Sequence, residues 1–403
     1  MNVVATLALL LVAGSPDAGR DPVRISLFTL FKPETLHVRI ASGERVVLDG
    51  TGLATAHSVA RGELVQIRLS GNRLHVVVGN SLRGVRQSLA ATDLRITPTG
   101  SATLELILPG RITRAVRGAL SVDSGVGGRG PLRIVLTTDR ESAVASVVAS
   151  ETSRREAEAL KALAVVVRTF MISHAGRHSS EGFDFCDTTH CQLYQGEREL
   201  ADGAASAAVA NAVAHTAGQF LSFKHDPIES YYTAACGGIS ATPSMVWGGS
   251  STYPYARIAC RWCRGSRFDK WERSANAGRL LDSLSAAVET KLSPATELTT
   301  QGDEPDGFVR SVIVQDGSKR AVLTTDAFRR AIGIKLGWNT VLSPTFRVER
   351  RGSRFIFRGR GFGNQIGLCE EGAAAQAAAG RGYREILNFY YPGAEISGQA
   401  AND

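Results

Sequence analysis

Residues 149–169 read ASETSRREAEALKALAVVVRT, and they mark the point where a strand-rich chain becomes helical. Apolar residues recur at helical spacing from 156 to 174, at Leu160, Leu163, Ala164, Val167, Phe170 and Met171. Alanine and unbranched side chains are frequent in the first half, so helix propensity agrees with this periodicity. Ser153 and Glu156 have the spacing of a capping box. The sequence therefore predicts a helix that begins just after Glu151 and Thr152.

Upstream of this helix, the chain alternates short apolar or β-branched runs with clusters of Gly, Asn and Ser. Such runs are typical of strands. They lie at 23–30, 36–40, 64–69, 74–78 and 104–108, with one more at 132–136. They predict a β-rich N-terminal domain over 23–130, folded as a sandwich or a small barrel.

Downstream, helical and strand patterns mix, which predicts an α+β domain over 131–395. The expected elements are a helix at 201–216, a hairpin of 219–224 with 228–234, a strand at 354–358 and helices at 370–379 and 383–390. The polar stretch 276–345, which contains a strand at 308–314, reads as an inserted subdomain. The whole chain is thus predicted to be α+β.

Length and composition limit the class of protein. The 403 residues carry a net charge of +8, with 43% apolar and 21% charged residues, as in a folded globular protein. The basic balance favours anionic partners, although a solubilising surface explains it equally well. No Lys/Arg run is dense enough to bind nucleic acid.

The N-terminus has the pattern of a secretory signal. An apolar run at 3–14 precedes small residues, although the usual positive start is missing, so residues 1–18 are predicted to be a signal peptide. The chain is therefore expected to be exported to the periplasm or cell envelope, without a transmembrane anchor after signal removal.

Glu151 is the candidate for acid–base chemistry. It follows Val147, Val148 and Ala149, and apolar surroundings raise the pKa of a carboxyl so that it can hold a proton for a glycosidic oxygen. The commoner use of Glu at a helix start is favourable interaction with the helix dipole, which has the opposite effect on the pKa.

Four blocks in order resemble the stage II sporulation protein D / amidase enhancer (SpoIID/LytB) family. They are 149–169, CDTTHCQLY at 186–194, YTAACGG at 232–238 with the Trp247 and Pro254 segments, and GRGFGNQIGL at 359–368 with 371–373 and 383–392. The resemblance covers about 130–395. The family often has His where this chain has Asn364, and a polar–aromatic pair where it has Glu370 and Glu371.

The resemblance implies a peptidoglycan lytic transglycosylase that cleaves the MurNAc–GlcNAc bond of denuded strands and leaves 1,6-anhydroMurNAc ends. Glu151 matches the family's catalytic glutamate, and the reaction requires no cofactor. A glycan groove is implied to contain Gln192, Tyr194, Tyr232, Gly237, Gly238, Trp247, Gly361, Gly363, Asn364 and Gly367. We expect about two of the aromatic candidates, which also include Tyr231 and Tyr255, to face the sugar.

Two other functions stay open from the sequence. One is a non-catalytic peptidoglycan-binding module that enhances a cell-wall amidase, and the other is a structural envelope protein that works through its β-rich region.

The cysteines allow two interpretations. One is a structural zinc ion. Cys186, His190 and Cys191 are residue types that bind metals, and the family resemblance is compatible with zinc there. Cys260-x2-Cys263 would supply a second ligand pair. Export favours disulfides instead, among Cys186, Cys191, Cys236, Cys260, Cys263 and Cys369.

Overall fold

The computed structural model describes residues 21–80, 84–125, 128, 130–197, 203–303 and 307–398. The predicted signal peptide, 1–18, lies outside the described residues. The chain divides into two compact units. The first unit consists of the described residues of Met1–Ala143 and Gly176–Arg198, and the second of those of Val144–Ala175 and Glu199–Asp403.

The first unit is built from two sheets. Its strands are β1 (Pro22–Leu27), β2 (Thr35–Ser42), β3 (Arg45–Asp49), β4 (His57–Ala60), β5 (Leu64–Ser70), β6 (Arg73–Asn80), β7 (Gly84–Ala91), β8 (Asp93–Pro98), β9 (Thr103–Leu108), β10 (Ile112–Arg117), β11 (Ala119–Asp123), β12 (Arg133–Asp139) and β13 (Phe185–Cys186). One sheet has the order β13-β1-β12-β11-β8-β3-β4, and the other the order β10-β9-β2-β5-β6-β7.

Alternation along the strands explains why this part of the chain forms sheets. In β2, Leu36, Val38 and Ile40 are buried while Arg39 is exposed, so one face of the strand is apolar. The predicted β-rich N-terminal region is confirmed. The first unit extends past residue 130, however, because β12 pairs with β1 and β11. A second segment, Gly176–Arg198, also belongs to this unit.

The second unit mixes helices with short strands. Its helices are α1 (Arg140–Glu151), which starts in the first unit, α2 (Ala157–Ser173), α3 (Gly203–His215), α4 (Pro243–Val246), α5 (Ala277–Ala287), α6 (Thr325–Leu336), α7 (Glu370–Ala378) and α8 (Tyr383–Tyr390). Its strands are β14 (Phe220–Phe223), β15 (Asp226–Pro227), β16 (Tyr232–Thr233), β17 (Trp271–Asn276), β18 (Glu297–Asp303), β19 (Phe308–Asp316), β20 (Lys319–Thr324), β21 (Phe346–Arg351), β22 (Arg354–Gly359), β23 (Leu368–Cys369) and β24 (Glu395–Ser397). The predicted α+β class is confirmed. Among the described residues, every helix is too short or too polar to cross a bilayer.

The apolar periodicity over 156–174 matches α2, but the predicted start, cap and upstream neighbour of the helix are wrong. The helix begins at Ala157 and not just after Thr152. The N-cap of α2 is Glu156, and its side chain makes no capping hydrogen bond, so the Ser153–Glu156 capping box does not form. Residues 140–151 form α1, where we expected no helix. Glu151 is therefore the last residue of one helix and not the entrance to the next.

The predicted hairpin of 219–224 with 228–234 is also wrong in its second strand. β14 pairs with the two residues of β15, whereas Tyr232 and Thr233 in β16 pair in parallel with Leu368 and Cys369 in β23. This parallel bridge joins parts of the chain that lie more than a hundred residues apart.

The stretch from β17 to β22 has a hydrophobic core of its own. Its buried members run from Trp271 to Phe357 and include Leu280, Val312 and Phe328. The Phe328 ring is stacked on the Phe346 ring, with 6.0 Å between centroids. The core therefore spans the region where a subdomain at 276–345 is predicted.

Phe328→Ala is expected to destabilise the second unit by about 3–5 kcal/mol, because it removes a fully buried ring and leaves a cavity. Chemical denaturation measures this loss. Ile334→Ala, which truncates a side chain that is 72% exposed on the same helix, is the control and should change stability by less than about 1 kcal/mol. Equal losses in the two variants would contradict the assigned core.

Candidate active site and cysteine clusters

Glu151 lies half-buried at the C-terminal end of α1. The Tyr232 hydroxyl donates a hydrogen bond of 2.9 Å to its Oε1. The partial negative charge at a helix C-terminus disfavours an anion, so the dipole does not stabilise a carboxylate here as it would at a helix start. The hydrogen bond fixes the direction in which the carboxyl points.

The Tyr232 side chain is held in place by the bridge between β16 and β23. Next to it, the Thr233 hydroxyl donates to the Phe362 carbonyl at 2.8 Å, and the Gln365 amide donates to the same hydroxyl at 3.2 Å. Tyr232 therefore reaches Glu151 from a strand that is anchored to the glycine-rich loop 359–367.

A second carboxyl, Glu370, is buried close to the first. It is the first residue of α7 and directly follows β23. Burial, reinforced by the charge of Glu151, raises the pKa of Glu370 to about 8, against a smaller opposing effect of a hydrogen bond with Thr152. At neutral pH Glu370 therefore keeps its proton. From the sequence, Glu370 was noted only as a departure from the family's polar–aromatic pair.

Glu371, the next residue, has a different environment. Its carboxylate forms an ion pair with Arg154, in the segment between α1 and α2. The pair joins the start of α7 to the chain that follows Glu151.

A small hollow lies in the second unit. It is lined by Thr152, Arg154, Leu160, Leu368 and Glu370, together with other apolar residues. A larger hollow, of about 320 Å³, lies in the first unit, beside β1 and residues 130–133. Neither is lined by a predicted substrate-binding residue, so the predicted glycan groove stays a prediction.

Most of the predicted groove glycines are required by the protein's own backbone. A Cβ at Gly237, Gly361, Gly363 or Gly367 would lie within 2.9 Å of neighbouring protein atoms, such as the Tyr231 carbonyl for Gly367. All four have positive φ, which glycine adopts without strain. Only Gly238, among the five, has open space where a Cβ would point.

Other predicted contact residues have differing environments. Trp247 is 46% exposed and lies 5.0 Å from the Tyr231 ring, which makes it the most accessible aromatic candidate. The Asn364 Oδ1 accepts the Ile366 amide at 2.8 Å, so this side chain stabilises its own loop. Gln192 and Tyr194 are both buried in the first unit.

Gln365 is a residue of this loop that the sequence did not single out. It is a buried, non-glycine residue with a positive φ, and its amide group donates to the Cys236 carbonyl at 2.9 Å. Its Oε1 accepts the Thr345 hydroxyl at 2.9 Å. Gln365 thus connects the glycine-rich loop to the turn at Gly237.

The predicted ligands Cys186, His190 and Cys191 meet in the first unit, and His178 joins them. The four ligand atoms lie within 4.8 Å of one another. The Cys186 and Cys191 sulfurs are 3.4 Å apart, and the His178 Nε2 lies 3.3 Å from the Cys191 sulfur.

This donor set fits a tetrahedral zinc ion. Ligands at 2.0–2.3 Å from zinc lie about 3.3–3.8 Å from each other, which is close to the separations here. The His178 Nδ1 is 2.6 Å from Glu181 Oε1, a contact that directs Nε2 towards the sulfurs. Zinc-binding histidines commonly have such a carboxylate partner.

We had expected the Cys260-x2-Cys263 pair to complete this cluster, but it does not. Cys260 and Cys263 meet Cys236 and Cys369 in the second unit. None of the six cysteines forms a disulfide in this structure, which was the alternative to zinc. His178 was missed because it precedes Cys186 by eight residues, although the succession His-x7-Cys-x3-His-Cys gave a usable signal.

The second unit thus has an α+β fold with a glutamate held by a tyrosine, and the first unit contains a Cys/His cluster. Residues 129–223 match the family model described as "SpoIID: Stage II sporulation protein". This match supports the predicted resemblance to the SpoIID/LytB family.

Individual relatives agree with this family. Over 269 residues, the chain is 28% identical to "Stage II sporulation protein D" of Bacillus subtilis, covering 64% of this chain and 74% of that protein. It is 27% identical over 240 residues to an uncharacterised protein of Brachyspira hyodysenteriae, covering 59% and 61%. It is 25% identical over 284 residues to "Amidase enhancer" of Bacillus subtilis, covering 60% and 38%. The chain thus spans less than two thirds of the length of two of these three.

Glu370→Gln is expected to flatten the dependence of stability on pH. From the ordinary value of 4.5 up to about 8, the unfolded chain loses a proton that the folded chain retains, so stability falls as pH rises through this window. Because each pKa unit corresponds to about 1.4 kcal/mol, the variant should be more stable than the wild type at pH 8 by about 1–3 kcal/mol.

Thermal unfolding at pH 5 and pH 8 measures this difference. Glu272→Gln, at a carboxylate that is 59% exposed on β17, is the matched control and should keep the wild-type pH profile. A Glu370→Gln profile as steep as that of the wild type would show that Glu370 is already ionised in the folded protein.

Proposed function

We propose that this protein is an exported lytic transglycosylase that cleaves peptidoglycan glycan strands in the bacterial cell envelope, with Glu151 as its acid–base residue. The similarity to this family supports a cell-wall-related function. The observation that carries the proposal is the half-buried Glu151 carboxyl, which lies in the family motif and is oriented by Tyr232.

One carboxyl is sufficient for the proposed reaction. Glu151 donates its proton to the oxygen that joins MurNAc C1 to GlcNAc, and the C1–O bond breaks. The Glu151 carboxylate then takes the proton of the MurNAc 6-hydroxyl while O6 bonds to C1, which gives the 1,6-anhydro end and regenerates the acid. A hydrolase would use a second carboxylate to activate water or to bond to the sugar.

The neighbours of Glu151 suit this chemistry. The Tyr232 hydroxyl donates to Glu151 Oε1 and so orients the carboxyl that exchanges the proton. Glu370 keeps its own proton at neutral pH because it is buried, so it adds no negative charge beside Glu151. A second anion beside Glu151 would oppose the carboxylate that the reaction forms.

We also propose a structural zinc ion in the first unit. His178, Cys186, His190 and Cys191 would hold it, and the four protein ligands leave no position for a water or a substrate. Such an ion supplies folding free energy and no acid or base to the reaction.

Glu151→Gln is expected to lower the release of anhydro-ended fragments from denuded glycan strands by about 10²–10⁴-fold, because the amide cannot donate the acid proton. Mass spectrometry of the products measures the rate. The protein's circular dichroism should remain that of the wild type.

Glu297→Gln, at an exposed position of β18, is the control and should retain wild-type product release. Undiminished product release by Glu151→Gln would overturn the proposed role of this residue.

Tyr232→Phe is expected to reduce product release by about 10-fold, a smaller loss than that of Glu151→Gln, because the acid remains but is no longer oriented. The pH profile of kcat should shift with it, which a purely structural effect would not cause. Tyr253→Phe is the matched control, since its hydroxyl donates to the Pro392 carbonyl in the same unit. Equal losses in both variants would argue against a positioning role for Tyr232.

The similarity to a protein named "Amidase enhancer" favours one alternative, a non-catalytic enhancer. In that case the wild-type protein would sediment with peptidoglycan, release no anhydro product and stimulate an added cell-wall amidase. Glu151→Gln would then stimulate the amidase as well as the wild type does.

A further inference from the structure

Four cysteines from three separate segments converge inside the second unit. The sulfurs of Cys236, Cys260, Cys263 and Cys369 all lie within 4.8 Å of one another, and each residue is at most 2% exposed. The proposed glycan chemistry uses none of them. We call this group the four-cysteine cluster.

Several donors point at its sulfurs. The amides of Cys236 and Gly372 each donate to the Cys369 sulfur at 3.3 Å, and the Tyr390 hydroxyl lies 3.3 Å from the Cys260 sulfur. Donors of this kind stabilise sulfur that carries negative charge, and thiolates are the form that binds metals.

The sulfur spacing suits one tetrahedral ion. The Cys236 and Cys263 sulfurs are 3.5 Å apart, far longer than the roughly 2.05 Å of a disulfide. Two thiolates at 2.3 Å from a common zinc ion lie about 3.8 Å apart.

The loop that contains Cys260 and Cys263 turns tightly enough to direct both sulfurs inward. The Cys260 amide donates to the Gly238 carbonyl at 3.0 Å, and the Arg264 amide donates to the Arg261 carbonyl at 3.3 Å. A Cys-x2-Cys turn is the usual half of a structural zinc site. Arg261 and Arg264, both exposed on this turn, partly balance the net charge of −2 that four thiolates and one divalent ion would carry.

The helix next to the cluster is adapted to close packing. A Cβ at Gly372 would lie 2.9 Å from the Cys260 sulfur and 2.1 Å from the Tyr390 hydroxyl. Glycine at this position therefore lets the first turn of α7 approach the sulfurs and bring its amide to Cys369.

From this geometry we infer that Cys236, Cys260, Cys263 and Cys369 bind one structural zinc ion. Four protein ligands close the coordination sphere, so the ion has no catalytic position. Cys236 lies four residues after Tyr232, and Cys369 immediately precedes Glu370. The ion therefore fixes both segments that approach Glu151. The inference does not depend on the proposed glycan chemistry.

The test is zinc content together with X-ray absorption on the full chain, purified without chelator. In Cys186→Ser/Cys191→Ser, which disables the other candidate site, about one zinc per chain should remain, surrounded by four sulfurs and no imidazole. Cys260→Ser/Cys263→Ser should instead lose about one zinc relative to the wild type and keep a mixed sulfur–nitrogen environment.

Wild-type protein gives a result that does not depend on how the variants fold. With both sites filled, the average zinc environment is three sulfurs and one nitrogen, and with this site alone filled it is four sulfurs. An average of two sulfurs and two nitrogens would overturn the inference. So would zinc-free protein, or an intact mass that shows disulfides among these four cysteines.

Discussion

The parallel bridge between β16 and β23 is the constraint on which the second unit depends. It pairs Tyr232 with Leu368 and Thr233 with Cys369, although these residues are far apart along the chain. This one contact positions the tyrosine that holds Glu151. It also positions the buried Glu370 and two members of the four-cysteine cluster, Cys236 and Cys369. A two-residue bridge is weak by itself, so its surroundings must hold it. Thr233, Gln365 and the buried Tyr391 hydroxyl, which donates to the Tyr231 carbonyl, do so.

The sequence predicted the residues that have local patterns. Apolar spacing identified α2 almost to the residue, and alternation identified β2, β5, β6 and β9. It did not predict α1, because Val144, Val147 and Val148 are β-branched and favour strands. All three are buried, so tertiary packing of an apolar surface stabilises this helix where propensity does not.

Long-range contacts explain what could not be predicted of the site. A glycine-rich loop has the same sequence whether its glycines make room for a ligand or for the chain itself. Only the folded chain shows that Gly361, Gly363 and Gly367 approach protein atoms. The cysteines pose a similar problem, because spacing identifies Cys260 and Cys263 as a pair but gives no information on their partners. The cluster in the first unit was easier to predict from the sequence, because its four ligands all lie between residues 178 and 191.

The two carboxyls near Tyr232 are chemically distinct because their environments differ. Glu151 is half-buried and has a hydroxyl donor, whereas Glu370 is enclosed at the start of α7 and is close to another acid. Like charges in a poorly solvated site cannot both ionise at low cost, so one group keeps its proton. The more buried group, Glu370, is the one with the raised pKa. Glu370 therefore adds no second negative charge beside Glu151, an arrangement that the proposed acid–base role of Glu151 requires.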